Sequence, residues 1–212
     1  SANAGEWVSP SYTFCKYFAA VLPLVALQYH DVEMRIYWNT VTTPVTCVAN
    51  YIYLDTDERE FFANNAHNIL IEQIQRNTFP PTQTMLDLSF SHPVKYITLA
   101  NIENPDQTKF KIQINGVDVG DELPVRLSSQ VSVIRHCITG LAPAVSTLFI
   151  PFALQCGAYQ PSGTLNFSRL DSARIILDRH AATANAKDII VTAVNYNMLR
   201  IENGMGGLEY AN

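Results

Sequence analysis

The residue types that could do chemistry are present in this chain, but they are not gathered. Five histidines (His30, His67, His92, His136 and His180) are scattered over 212 residues, with no His-x-His or His-Glu-x-x-His spacing. A metal centre needs several such ligands, usually with a carboxylate, on one face. The nearest approach is His136-Cys137, and neighbours on a strand point to opposite faces. His30 falls on the apolar side of an alternating run and reads as a core histidine. Asp55, Asp57, Glu58 and Glu60 form an acidic cluster without the central glycine of a calcium loop, so helix capping is the expectation. No Gly-x-Ser-x-Gly elbow presents a nucleophile. The glycines of Asn203-Gly-Met-Gly-Gly207 lack the Lys-Ser/Thr and the following helix of a phosphate loop, which leaves a backbone needing positive φ, a close approach or a flexible final turn. Asn166-Phe-Ser168 is a glycosylation sequon set in a strand-like run, where it reads as packed. Cys15, Cys47, Cys137 and Cys156 are widely spread with no Cys-x-x-Cys, as expected of free thiols in a reducing compartment. No cofactor and no metal is expected.

The elements that must position these residues are mostly strands. In Asp31-Val-Glu-Met-Arg-Ile36, Val32, Met34 and Ile36 alternate with charges, the pattern of a half-buried strand. Leu86, Leu88 and Phe90 alternate in the same way, as do Phe110, Ile112 and Ile114, whose run ends in the hairpin signal Asn115-Gly116. Further β-rich runs cover residues 45–54, 69–74, 94–102, 131–138, 147–154, 164–177 and 189–201. Turn residues separate them at Pro80-Pro81, Asn104-Pro105, residues 140–143, Gly157 and residues 161–163. One capping box, Asp55 with Glu58, predicts a short helix through Phe61 and Phe62. Residues 121–129 fit neither pattern. About ten short strands with almost no helix predict an all-β antiparallel jelly-roll sandwich.

Composition narrows the class. Hydrophobic residues make up 48% and charged residues 16%, against about 25% charged in ordinary soluble domains, which excludes disorder and implies that part of the surface is covered by partners. The net charge of −5 argues against direct nucleic-acid binding, which needs clustered Lys and Arg. The longest run free of polar residues, from Tyr17 to Leu27, contains Pro23 and is too short for a membrane span of ~20 residues.

Six segments in order, with the C-terminal one, carry a resemblance. They are Leu22-Pro-Leu-Val-Ala-Leu-Gln-Tyr-His-Asp31, Tyr53-Leu-Asp-Thr-Asp-Glu-Arg59, Ile71-Glu-Gln-Ile-Gln75, Phe90-Ser-His-Pro-Val-Lys95, Gln160-Pro-Ser-Gly-Thr-Leu-Asn-Phe-Ser-Arg169, Ala193-Val-Asn-Tyr-Asn-Met-Leu-Arg-Ile201 and the ending Gly204-Met-Gly-Gly-Leu-Glu-Tyr-Ala-Asn212. Together they resemble the major capsid proteins of nucleocytoplasmic large DNA viruses. The resemblance implies a double jelly roll, homotrimers of pseudo-hexagonal outline that tile an icosahedral shell with their neighbouring capsomers, and minor capsid proteins beneath. It implies no enzyme activity and a virion location after assembly in the host cytoplasm. By the same analogy residues 1–56 hold the last strands of a first roll, residues 57–67 a short helical linker, and residues 68–212 the second roll. Members of that family are longer; the opening strands of the first roll are absent from this chain, and Ala19-Ala-Val21 stands where the family has a Pro-Gly turn.

The residues singled out on this basis are structural. Pro161, Ser162 and Gly163 should turn the chain before a long strand. Asn166, Phe167, Ser168 and Arg169 come next, and Asp171 lies between Arg169 and Arg174, where an ion pair would either fix a loop or subunit contact or be a solvent-facing one worth ~0.2–1 kcal/mol, the second being favoured. Asn195, Tyr196 and Asn197 sit in the penultimate motif, and Gly204, Gly206 and Gly207 in the last. Two other classes stay open. A jelly-roll carbohydrate-binding module would set several of the ten tyrosines and two tryptophans on one concave face, and a jelly-roll enzyme would gather a metal site.

Overall fold

The structure is a computed structural model in which residues 10, 12–37, 45–137, 147–178 and 187–210 are described. Ten strands are described: β1 (His67–Phe79), β2 (Met85–Asp87), β3 (Pro93–Ala100), β4 (Lys109–Ile114), β5 (Val117–Pro124), β6 (Leu148–Pro151), β7 (Leu165–Asn166), β8 (Ala173–Asp178), β9 (Ile189–Glu202) and β10 (Met205–Leu208). They form two sheets. One runs β1-β9-β3-β6, with β10 added to β9 and β7 to β3; the other runs β2-β8-β4-β5. Successive strands β1 to β4 alternate between the sheets, and the described pairings are antiparallel, which is the winding of a jelly roll.

Contacts divide the chain into two compact units, residues 1–71 with 198–211, and residues 72–197 with Asn212. The second holds the sandwich core. Ala173, Ile175 and Leu177 of β8 point inward while Arg174, Ile176 and Asp178 point away. Val94, Ile97 and Leu99 of β3 and Ile189, Val191 and Ala193 of β9 meet them in one cluster with Leu86, Phe110, Leu148 and Phe167. Each fully buried aliphatic side chain stabilises by ~1.5–3 kcal/mol. The β4–β5 hairpin turns at Asn115 (φ 50°) and Gly116 (φ 80°), the two positive φ values of a type I′ turn, as Asn-Gly predicts.

A helical connection links β5 to β6: α3 (Val125–Leu127), a π turn (Ser128–Ser132) and α4 (Val133–His136). The strand expected over residues 131–138 is therefore helical as far as His136. Its β-branched residues suggested a strand, but burial recurs at Val125, Ser129 and Val133, the spacing of a helix face. Residue 138 and the turn expected at 140–143 lie outside the described residues.

The first unit has α1 (Thr13–Lys16), two 3₁₀ turns (Phe18–Ala20 and Leu24–Ala26), α2 (Thr56–Asn64) and the β9–β10 hairpin end. The capping box is formed: Asp55 accepts from the Glu58 N–H at 2.9 Å, and Glu58 accepts from the Asp55 N–H at 3.2 Å. The strands expected at 31–36 and 45–54 are not formed. Val32, Met34 and Ile36 are exposed there, without regular structure. Alternation is a preference for one face, and it becomes a strand only where a neighbour accepts the backbone hydrogen bonds. Trp38 and the first residues of the chain lie outside the described set.

Candidate functional site

The bend after residue 160 is built as its residue types dictate, with two corrections further along. Ser162 Oγ accepts from the Gln155 N–H at 2.8 Å and donates to the Gln155 carbonyl at 3.3 Å, closing the loop on itself. Gly163 lies at φ 143°, and a Cβ there would meet the Phe152 carbonyl oxygen at 2.9 Å. The long strand expected from residue 164 is not formed: β7 is two residues long and gives way to a 3₁₀ turn (Phe167–Arg169). Asn166 Oδ1 accepts from the Ser168 N–H at 3.1 Å and caps that turn, so the sequon amide is engaged in a corner. Ser168 Oγ accepts from the His92 N–H at 2.8 Å, and Phe167 packs edge-on between Phe90 and Phe152 at 5.9 and 6.0 Å. The carboxylate beside Arg174 is Asp87 at 3.0 Å rather than Asp171, whose N–H donates to Asn115 Oδ1 at 2.9 Å. Arg169 is exposed.

Asn195 and Asn197 lie in a buried amide ladder. Gln75 Nε2 donates to Asn195 Oδ1 at 3.0 Å and to the Ser91 carbonyl at 2.8 Å, while Gln75 Oε1 accepts from the Ser91 N–H at 3.0 Å. Asn197 Nδ2 donates to Gln73 Oε1 at 2.9 Å. The ladder joins β1, β9 and the turn before β3.

Beside it lies the feature that residue-by-residue reading missed. The β3–β9 register shifts between Val94 and Tyr96, a bulge at Lys95 that turns its side chain out of the regular alternation. Lys95 is fully buried and its Nζ donates to Glu72 Oε1 at 2.5 Å and to the Ala158 carbonyl at 3.3 Å. The ammonium also stands 5.3 Å from the centre of the Tyr196 ring. Burial pushes the Tyr196 hydroxyl above its usual range. Burial likewise raises the Cys137 thiol and lifts that of Cys156 to about 11, so neither is a ready nucleophile. The signal in the sequence was the ladder residues and Lys95 themselves, all within the segments that carried the resemblance.

In the first unit, Asn203 (φ 54°) and Gly204 (φ 80°) make a second positive-φ turn between β9 and β10. A Cβ on Gly204 would fall 2.4 Å from the Tyr29 ring, and one on Gly206 would fall 2.8 Å from Leu27. Gly207 has open space where a Cβ would stand. His30, expected in a core, is exposed, and its Nδ1 accepts from the Gly206 N–H at 3.1 Å. His67 contacts the Phe62 carbonyl through Nε2, and His136 donates from Nδ1 to the Ala153 carbonyl at 3.0 Å. His180 lies outside the described residues.

Among the described residues no group of three His, Cys, Asp or Glu could hold a metal ion. A cavity of about 180 Å³ lies between β4, β5, β6 and the helical connection, below the ~300–1,000 Å³ of small-molecule sites. Among the described residues of that unit no aromatic side chain is fully exposed. No described helix is long and apolar enough to cross a membrane.

Turns, corners, an amide ladder and a locked ion pair hold a jelly-roll sandwich together. Residues 103–207 match the family described as the large eukaryotic DNA virus major capsid protein. The chain is 33% identical to the major capsid protein of Pyramimonas orientalis virus, over 95% of this chain and 60% of that one. It is 31% identical to the major capsid protein of Paramecium bursaria Chlorella virus 1, over 90% and 63% respectively. Among solved structures, the PBCV-1 virus capsid superposes with a TM-score of 0.64 at 29% identity, covering 76% of this chain and 56% of that chain. The chain thus spans about three fifths of the length of the curated relatives it matches. By these matches the chain is similar to the major capsid proteins of large eukaryotic DNA viruses, and its sandwich has the jelly-roll fold of the capsid structure it superposes on.

Proposed function

We propose that this chain is a structural subunit of a virion shell. With its family's full length present, it forms homotrimers of pseudo-hexagonal outline that tile an icosahedral lattice, and minor capsid proteins line the inner side. The observation that carries this reading is the likeness to the PBCV-1 virus capsid, whose jelly roll superposes on the sandwich at 29% identity. Support comes from chemistry too: the polar residues singled out by the sequence hold backbone in place, and the buried charges satisfy each other. On this reading residues 1–56 are the last strands of a first roll, 57–67 a helical linker and 68–212 a second roll. The exposed alternation of Val32, Met34 and Ile36 supports it, as does the relatives' greater length. The subunit is no enzyme, makes no direct contact with nucleic acid, and is assembled in the host cytoplasm. Native mass measurement of the full-length protein, followed by electron microscopy of its assemblies, tests the proposal. Trimers and hexagonally packed sheets or shells are expected, and a monomer with no ordered assembly overturns it.

A further inference from the structure

Two of the four cysteines, one on either side of β6, are brought together by the fold. Cys137 caps the C-terminal end of α4, where its backbone is extended and its N–H donates to the Val133 carbonyl at 2.8 Å. Cys156 lies in the turn after β6, and its N–H donates to the His136 carbonyl at 2.6 Å. That second bond limits how far apart the two cysteines can be. The His136 carbonyl oxygen and the Cys137 Cα share one peptide plane, and the Cys156 Cα is one covalent bond beyond its nitrogen. Standard backbone dimensions then place the two Cα atoms about 4–6.5 Å apart. Disulfides join Cα atoms ~4.4–6.8 Å apart.

The side chains converge as well. Cys156 is buried in a cluster with Val133, Phe149 and Ala153, and the half-buried Cys137 packs against the same cluster. Burial raises the Cys156 thiol most, and the Cys137 thiol raises it next, as a close neighbour does. The backbone carrying the two cysteines is held from both sides. His136 Nδ1 contacts the Ala153 and Leu154 carbonyls at 3.0 and 3.2 Å, and the Gln155 N–H donates to Ser162 Oγ. Cys15 and Cys47, by contrast, are exposed and belong to the other unit.

We infer that Cys137 and Cys156 close an intramolecular disulfide when the folded chain meets a low-molecular-weight disulfide, tying the end of the helical connection to the turn after β6. The exchange takes two steps. Cys137, the more accessible of the two, loses its proton and attacks one sulfur of the small disulfide. A mixed disulfide forms, and a small thiolate leaves and takes up a proton. Cys156 then loses its proton and attacks the Cys137 sulfur, and the second small thiol is released in the same way. Two protein thiols are thereby oxidised, and one small disulfide is reduced to two thiols. In a reducing compartment the pair stays open; the bond belongs to oxidising surroundings. The inference stands on the geometry of the sandwich unit and does not depend on the shell-subunit reading.

The test uses the full-length protein carrying Cys15→Ser and Cys47→Ser, both at exposed positions, purified under reductant and then held in oxidised glutathione without denaturant. Cys137 and Cys156 should both lose their thiols, and a non-reducing digest should yield their two peptides joined, about 2 Da lighter than their sum. The melting temperature should rise by several degrees and fall back when reductant is added. Adding Cys137→Ser should abolish both the joined peptide and the rise. The joined peptide is read in a protein whose substitutions are all exposed, so the test does not depend on whether that last variant folds. Two thiols that survive in the folded protein and pair only after denaturation would overturn the inference. So would glutathione adducts on both cysteines with no joined peptide, or a link found only between two chains. Each of these results leaves the shell-subunit reading standing.

Discussion

Lys95 leaves the water because β3 takes on one extra residue there, and the bulge aims its side chain at Glu72. An unpaired charge in that position would cost several kcal/mol, and the 2.5 Å contact offsets the cost only while both partners are present. Lys95→Ala or Glu72→Gln should therefore lower the unfolding free energy by ~3–5 kcal/mol, whereas Lys95→Met combined with Glu72→Met should lose much less. Urea unfolding of the three variants measures this, and equal losses in all three would contradict a pair that is mutually compensating. The thiols nearby give a second readout. With Cys156 raised to about 11 by burial, on the order of a thousandth of it is thiolate at pH 8, and Cys137 is shifted the same way. Cys15 and Cys47 are exposed. A thiol reagent at pH 8 should label two cysteines fast and two slowly in the native protein, and four after denaturation. Cys156 reacting as fast as Cys15 would mean that the loop after β6 is not packed as described.

At the level of elements, the two Asn-Gly turns separate conformational strain from steric conflict. Gly116 and Gly204 share φ 80°, but a Cβ on Gly116 meets nothing within 4 Å while one on Gly204 meets the Tyr29 ring. Gly116→Ala should cost ~1–2 kcal/mol for the left-handed backbone alone, and Gly204→Ala should cost more because the ring must move. Thermal melts of the two variants decide it, and an equal loss would mean that Tyr29 yields freely. The first turn was legible from Asn115-Gly116, just as α2 was legible from Asp55 and Glu58, because those signals are local. Residues 31–36 misled for the opposite reason: their alternation is complete, but a strand also needs a neighbour, and nothing in six residues reports whether one is there. The helix over 125–136 was hidden by its own β-branched residues. The site followed the same division. Pro161 to Gly163 stood out as a turn, but the long strand expected after it is not formed, the amide ladder joins Gln75 to Asn195, 120 residues apart, and Lys95 reaches Glu72 across 23. Such pairings are created by the sheet and cannot be read before the strand order is known.

For the molecule as a whole, three properties converge on assembly. Charged residues are 16% of the chain, well below the ordinary share, and the sandwich unit leaves Leu127, Val131, Ile134 and Leu154 exposed. The first unit leaves Phe18, Tyr37 and Tyr53 at least 85% exposed, more aromatic surface than a finished monomer keeps in water. The relatives' chains are longer, and the jelly roll it superposes on is one found in a capsid. The native mass of the full-length protein at micromolar concentration is the most direct test of a self-assembling shell subunit. Three times the mass of the denatured chain is expected; a mass equal to one chain would contradict it.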